Sequence, residues 1–162
     1  MISEKNAHFM MIGLLVELNR GQKIVRQITN EMSSIVSFLS VSSIYKRGSS
    51  NHRLGQSAEL ICVFKASTTL DLEQISKALS SVQAQHSGTQ ILLLCYDKNV
   101  QMLPALTLPH PALIQDKVLL RCSSEVWGGY EHPILGQTLS EIVNINGTFD
   151  DVEFYSQGSA IL

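Results

Sequence analysis

The sequence predicts an α+β fold built on a ferredoxin-like β-α-β-β-α-β core over about residues 8–97. Residues 9–16 and 90–96 are continuous apolar runs of strand length, which are typical of buried central strands. Between them, two segments place apolar residues on one helix face, and two further segments have strand character. This order is that of a split βαβ arrangement. Both helices are then expected to cover one face of an antiparallel sheet.

Different signals mark the two predicted helices. The first follows the turn-like residues 19–21 and presents one apolar face, formed by Ile24, Val25, Ile28 and Met32. The second begins at Asp71, an N-cap whose capping box is completed by Gln74 three positions later. Gly88 ends this region, and its apolar face is formed by Leu72, Ile75, Leu79 and Val82.

The two middle strands are predicted over residues 36–45 and 59–66. The first segment is rich in β-branched and aromatic residues, and the second is an apolar run. The polar residues 47–57 separate them and predict a loop.

Residues 98–162 are predicted to wrap around this core as helical and strand additions. Prolines on both sides of His110 make residues 107–111 a stiff loop. The following residues, 112–126, indicate mixed helix and strand. Thr138 and Glu141 have capping-box spacing and predict the start of a last helix.

The C-terminal tail, residues 149–162, carries the weakest pattern. Residues 152–155 are predicted to form an edge strand. Its two aromatic residues, Phe154 and Tyr155, are expected to pack against the core rather than to cover a partner surface.

Composition indicates a single globular domain over residues 1–162. Hydrophobic residues make up 44% of the chain and charged residues 16%, with a formal net charge of −2. This balance is that of a folded chain rather than a disordered one. A domain of this length buries enough surface to fold without disulfides or a structural metal.

Charge and hydropathy exclude two classes of partner. Basic residues form only short pairs, whereas a nucleic-acid surface requires a denser basic stripe. The apolar runs are too short to cross a membrane. Three widely spaced cysteines, Cys62, Cys95 and Cys122, match no metal-binding or disulfide pattern, so we expect no cysteine metal site and a cytoplasmic location.

Several segments carry a resemblance to a known family. Residues 106–111 have the sequence LTLPHP, and residues 132–142 have the sequence HPILGQTLSEI. Further upstream lie LLCY at residues 93–96, VSSIY at residues 41–45 and the Ile12-Gly13 pair. Across nearly the whole chain, this pattern resembles the hydroxymethyldihydropterin pyrophosphokinase (HPPK) family.

The resemblance implies an activity and a metal site. The family transfers a pyrophosphoryl group from ATP to the hydroxymethyl group of a dihydropterin, with two Mg²⁺ ions held by an Asp-x-Asp pair. In this chain that pair is replaced by Gln90 and Leu92, which offer one neutral oxygen between them. Asp97 lies five positions beyond Leu92 at the end of the strand, so it is not expected to substitute.

Other family positions also differ. The Ser-Asn pair after the first strand's glycine is Leu14-Leu15 here. Residues that contact the pterin in the family correspond to Glu59, Ile61 and Val118. An arginine at the phosphates corresponds to Asp116, and the loop before the Asp-x-Asp position is shortened to about residues 86–88. These changes predict that the old cleft is packed as apolar core.

Two residues match the family in positions near its ligands, Tyr45 and His110. The resemblance places His110 near the nucleotide and the metal, so it is a candidate ligand-binding residue. The competing interpretation is that residues 109–111 form a structural corner in which the imidazole ring hydrogen-bonds to the backbone.

The sequence therefore predicts the HPPK fold without its catalysis, in a pseudoenzyme with a binding or regulatory role. Its ligand would be a nucleotide, a pterin or another protein. The alternative is an active pyrophosphokinase with a divergent site that uses Asp116, Glu125 or the Asp150-Asp151 pair. Mg²⁺ and ATP would be cofactors only in that case.

Overall fold

A computed structural model of the chain describes residues 6–48, 58–146 and 152–162. The strands are β1 (His8–Glu17), β2 (Ser37–Val41), β3 (Ile44–Arg47), β4 (Glu59–Thr68), β5 (Thr89–Tyr96), β6 (Gln101–Leu103), β7 (Leu106–Leu108) and β8 (Val152–Ser156). The helices are α1 (Gly21–Met32), α2 (Leu72–Ala84), α3 (Ala112–Gln115), α4 (Lys117–Trp127) and α5 (Leu139–Asn146), with short 3-10 helices at Leu18–Arg20 and Gly158–Ile161.

Six strands form one antiparallel sheet in the order β5-β1-β4-β3-β8, and β2 also pairs with β4. Strands β6 and β7 form a separate hairpin. The predicted α+β fold and its β-α-β-β-α-β order are confirmed. Strand β1 lies between β4 and β5, and its buried residues alternate between the two faces of the sheet. Burial on both faces explains its unbroken apolar sequence.

Helices α1 and α2 cover the first face of the sheet. Their apolar side chains pack against alternate residues of β1 and β4, as the helical spacing predicted. The capping box of α2 is also confirmed. Gln74 N donates to Asp71 Oδ1 at 2.8 Å, and Asp71 N donates to Gln74 Oε1 at 3.0 Å. Each bond satisfies a backbone donor that has no partner within the helix.

Helices α3, α4 and α5 cover the second face. The expectation of mixed helix and strand over residues 112–126 was wrong, because this stretch is helical apart from a break at Asp116. Helix α4 approaches β1 closely at Gly13, where a Cβ atom would lie 3.3 Å from Leu119 Cδ2. The absence of a side chain at this position lets the helix approach the strand.

The strand predicted over residues 36–45 is in fact two strands that break at Ser42. The Ser42 hydroxyl accepts from Val63 N at 2.9 Å and donates to Ser43 O at 2.8 Å. A side chain thus takes over part of the hydrogen bonding with β4, and the chain continues as β3. Gly158 packs directly against the Ser42 carbonyl, where a Cβ atom would lie 1.9 Å from the oxygen.

The C-terminal tail adds an edge strand, as predicted, and then returns to the core. Strand β8 pairs with β3, and Ile161 is 2% exposed among the side chains beneath α1 and α2. Arg26 of α1 donates to Ala160 O at 2.9 Å. The expectation that Phe154 and Tyr155 pack into the core was wrong, because both lie on the exposed edge strand.

Within the described ranges, no helix is both long enough and apolar enough to span a bilayer. All three cysteines are buried, and none is in a disulfide.

Replacement of Ile161 by alanine tests whether the tail is part of the folded core. Loss of a fully buried branched side chain is expected to reduce the free energy of unfolding by about 2–5 kcal/mol in urea titrations. The adjacent Leu162 is 58% exposed, so Leu162→Ala is the matched control and should change stability by less than about 0.5 kcal/mol. Equal effects of the two substitutions would show that Ile161 does not anchor the tail.

Candidate functional site

Four candidate positions lie in one row across the sheet. Gln90 on β5 pairs with Leu15 on β1, Leu15 pairs with Ile61 on β4, and Ile61 pairs with Tyr45 on β3. Alternation along β5 places Leu92 on the same face as Gln90, as expected from the period of a strand. The structure therefore brings these residues to the second face of the sheet, which α4 covers.

This part of the second face is closed by apolar packing. Ile61 is 0% exposed, and Val118, at the start of α4, is 2% exposed in the same cluster. Leu15 and the partly buried Leu92 belong to this cluster as well. The positions that the resemblance aligned with pterin contacts therefore lie in the hydrophobic core.

The residues at the aligned metal positions do not fit Mg²⁺. This ion prefers near-octahedral oxygen coordination that includes carboxylates. Gln90 is exposed and carries one neutral amide oxygen, and Leu92 has no oxygen in its side chain. Within the described residues, no group of three or more His, Cys, Asp or Glu side chains is arranged to hold a metal ion.

An ion cluster at the edge of this face joins three elements. Arg47 on β3 donates from Nε and Nη2 to Glu59 Oε1 at 3.0 and 2.8 Å. Its Nη1 donates to both oxygens of Asp116, each at 2.8 Å. Burial tends to lower the pKa of Arg47, but the hydrogen bonds to Asp116 and Glu59 outweigh that effect and raise the pKa. The guanidinium is thus fully ionised and has two carboxylate partners.

Asp116 also begins α4. Its Oδ1 atom accepts from the backbone nitrogens of Val118 at 3.0 Å and Leu119 at 3.2 Å, as an N-cap residue does. The carboxylate that the sequence placed at a phosphate position is therefore used inside the protein. Sequence reasoning did not identify Arg47 as its partner, because 69 positions separate the two residues.

The other carboxylates proposed for a divergent site are engaged elsewhere or lie outside the described residues. Tyr45 donates its hydroxyl to Glu125 Oε1 at 3.2 Å, and burial, followed by the charge of Glu125, raises the pKa of Tyr45. Asp97 accepts from Phe9 N at 2.8 Å and lies 2.7 Å from His8 Nδ1. Asp150 and Asp151 are outside the described residues.

His110 stands at a corner and at the wall of a cavity. Its backbone nitrogen donates to Leu94 O at 2.8 Å, and its Nδ1 atom accepts from Ala112 N at 3.0 Å. The ring is thus bonded to the backbone, as the structural-corner interpretation expected. Burial lowers the pKa of His110. Because Nδ1 already accepts a hydrogen bond, Nε2 is the atom that can contact a ligand.

The cavity beside His110 has a volume of about 370 Å³ and lies between α2, β5 and the β6–β7 hairpin. It brings His110 and Leu92 together, whereas Gln90, Ile61, Tyr45 and Val118 do not line it. Sequence reasoning missed the walls, because α2 and the hairpin showed only amphipathic and loop patterns. The lining is formed by Ser76, Leu79, Ser80, Ile91, Leu92, Leu93, Pro104, Ala105, Leu106, Thr107, His110 and Pro111.

A double-mutant cycle on Arg47 and Asp116 measures the strength of the ion cluster. Both side chains are largely buried and their contact is bidentate, so we expect a coupling free energy of about 1–3 kcal/mol from the unfolding of R47A, D116A and the double variant. Loss of the N-cap cancels in the cycle. The exposed Glu73–Lys77 pair of α2 is the control and should show much weaker coupling. Similar couplings would mean that the cluster contributes no more than a surface pair.

The protonation state of His110 predicts how stability depends on pH. The folded protein resists protonation of this ring, whereas the unfolded chain protonates near pH 6.5, so stability is expected to fall as the pH drops below that value. His110→Gln preserves an acceptor for Ala112 N but removes the titration. The loss of unfolding free energy between pH 7.5 and 5.5 should be smaller in this variant, by at most about 1.4 kcal/mol. An unchanged pH dependence would contradict a neutral His110.

Comparison with solved structures finds Plasmodium falciparum HPPK-DHPS. A triple mutant with SDX-DHP matches with a TM-score of 0.74 at 8% identity, over 93% of this chain and 45% of that one. The wild type with pteroate gives 0.70 at 10% identity, over 90% and 43%. The wild type with pterin and p-hydroxybenzoate gives 0.67 at 10% identity, over the same shares.

This chain spans less than half the length of these structural neighbours. No protein-family model matches it, and no curated protein matches it. At such low identity the likeness concerns the fold alone. The chain therefore has an HPPK-like α+β fold.

Proposed function

We propose that this protein is a ligand-binding protein with an HPPK-like fold that does not transfer pyrophosphate. The observation that carries the proposal is the packing of Ile61 and Val118, which are buried in one apolar cluster. A pterin ring needs an open slot with polar groups at its edge. To open such a slot here, the protein would have to expose core side chains to water.

The metal positions support the same conclusion. Phosphoryl transfer depends on positioning and on metal ions that neutralise the phosphate charge. Gln90 and Leu92 supply no carboxylate. Loss of both bridging carboxylates is expected to cost several kcal/mol in the transition state, which corresponds to a rate reduction on the order of a thousandfold or more.

The ion cluster closes the phosphate side. Asp116 is negatively charged where the resemblance places an arginine, and Arg47 beside it already binds two carboxylates. An incoming phosphate would meet the charge of Asp116 and would have to displace it from both Arg47 and the N-terminus of α4. The cluster therefore disfavours a nucleoside triphosphate in this position.

The cavity beside His110 is what makes binding the better role. Its volume of about 370 Å³ lies within the range of small-molecule sites. A regulatory role would follow if the bound ligand stabilised the folded state by mass action.

The release of AMP from Mg-ATP and hydroxymethyldihydropterin tests the proposal. We expect no release above the background without protein, while an HPPK-DHPS enzyme serves as the positive control. The double variant Q90D/L92D should remain inactive, because Ile61, Val118 and Asp116 still fill the other positions. Turnover by the wild type would refute the proposal. Turnover by the variant alone would show that only the metal site is missing.

A further inference from the structure

The cavity beside His110 has an uncharged lining. Its floor is the apolar sequence Ile91–Leu93, and its walls are formed by α2 and the β6–β7 hairpin. Within the described residues, the polar side chains of the lining are the hydroxyls of Ser76, Ser80 and Thr107 and the ring of His110. These groups can orient a ligand by hydrogen bonds, but they do not supply the positive charge that a phosphate requires.

The hydrogen bond to His110 establishes that its ring is neutral. Ala112 N is a donor, so the Nδ1 atom that accepts from it carries no proton. The ring proton is then on Nε2, which offers a single neutral donor. Protonation of the ring would place an N–H group against the Ala112 N–H. The burial that lowers the pKa of His110 acts in the same direction.

The charged groups near the cavity do not favour anions. An adjoining depression of about 470 Å³ shares Ser76 and Leu106 with the cavity and is lined by Asp71 and Glu73. Lys77 also lines this depression, with its ammonium 2.9 Å from Glu73 Oε1. The one cation on this wall is therefore matched by two carboxylates.

A phosphate that entered this cavity would lose water without gaining a charged partner. Transfer of an ionised group from water to a site that cannot pair it is strongly unfavourable, whereas a neutral heteroaromatic group loses far less. We propose that the cavity binds an uncharged ligand of nucleoside size, with acceptor atoms for His110 Nε2–H and the serine hydroxyls, and discriminates against phosphorylated forms of the same molecule. This inference rests on the proposed binding function and specifies its ligand class.

Matched probes with and without phosphate test this inference. Adenosine, guanosine and 6-hydroxymethylpterin are compared with AMP, GMP and Mg-ATP by calorimetry and thermal shift. At least one neutral probe should bind, and its monophosphate, where the pair exists, should bind at least tenfold more weakly. Tighter binding of AMP or GMP than of the nucleoside would overturn the inference. Failure of all three neutral probes to bind would overturn it as well.

Two variants locate the binding in the cavity. Ser80→Phe should abolish binding because it fills the cavity, whereas Ser81→Phe places the same ring at the next exposed position of α2 outside the lining. Ser80→Arg should raise the affinity for AMP relative to adenosine, and Ser81→Arg should not. Equal effects at the two positions would place the binding elsewhere and refute the assignment.

Two further measurements separate this inference from the proposed function. Arg53→Ala is measured in parallel, because Arg53 lies outside the described residues and could supply a charge; a loss of nucleotide binding in this variant would overturn the uncharged site. AMP release is followed in the same samples. Turnover would refute the proposed function, whereas preferential binding of phosphorylated probes without turnover would refute only the ligand class.

Discussion

The packing of α4 on the second face of the sheet is the constraint on which the other features depend. It is possible because Gly13 has no side chain, so that Leu119 lies where a Cβ atom would be 3.3 Å away. Both faces of β1 are then buried, and the first turn of α4 carries Val118 against the face that includes Ile61. A residue on this part of the face must be apolar or carry its own partner.

The ion cluster is the polar counterpart of this packing. Arg47 connects β3, β4 and the N-terminus of α4 through Glu59 and Asp116. Each carboxylate is only partly exposed, so its charge would be costly without the guanidinium. The cluster thus orients the helix whose apolar face closes the sheet, and both interactions occupy the region that the resemblance associates with phosphate and pterin.

Local patterns predicted the elements whose signals are local. The apolar run of β1, the helix faces and the Asp71 capping box all depend on residues a few positions apart. The break between β2 and β3 could not be predicted in this way, because it depends on a hydrogen bond from Val63 to the Ser42 hydroxyl across the sheet. The edge aromatics were misplaced for a related reason. Sequence does not indicate whether the outer face of an edge strand is covered.

The candidate site divides along the same line. The sequence alignment placed Gln90, Leu92, Ile61 and Tyr45 on one face, and strand register brings them there. The cavity was not predictable, because its walls combine the polar side of α2 with a hairpin whose position follows from tertiary contacts. Alternation along a strand specifies a face, but only the packing of the covering elements decides whether that face is a cleft or a core.

The changes at positions 59 and 116 are best understood as one coupled change. Glu59 alone would place a partly buried carboxylate on β4, and Asp116 alone would place another beside it, so either pair of charges without Arg47 would repel. With Arg47 between them, all three charges are hydrogen-bonded and Asp116 also caps α4. Reversion of a single position would therefore break a satisfied network rather than restore a phosphate site. This coupling means that the present arrangement is stabilised by its own contacts, independently of any ligand.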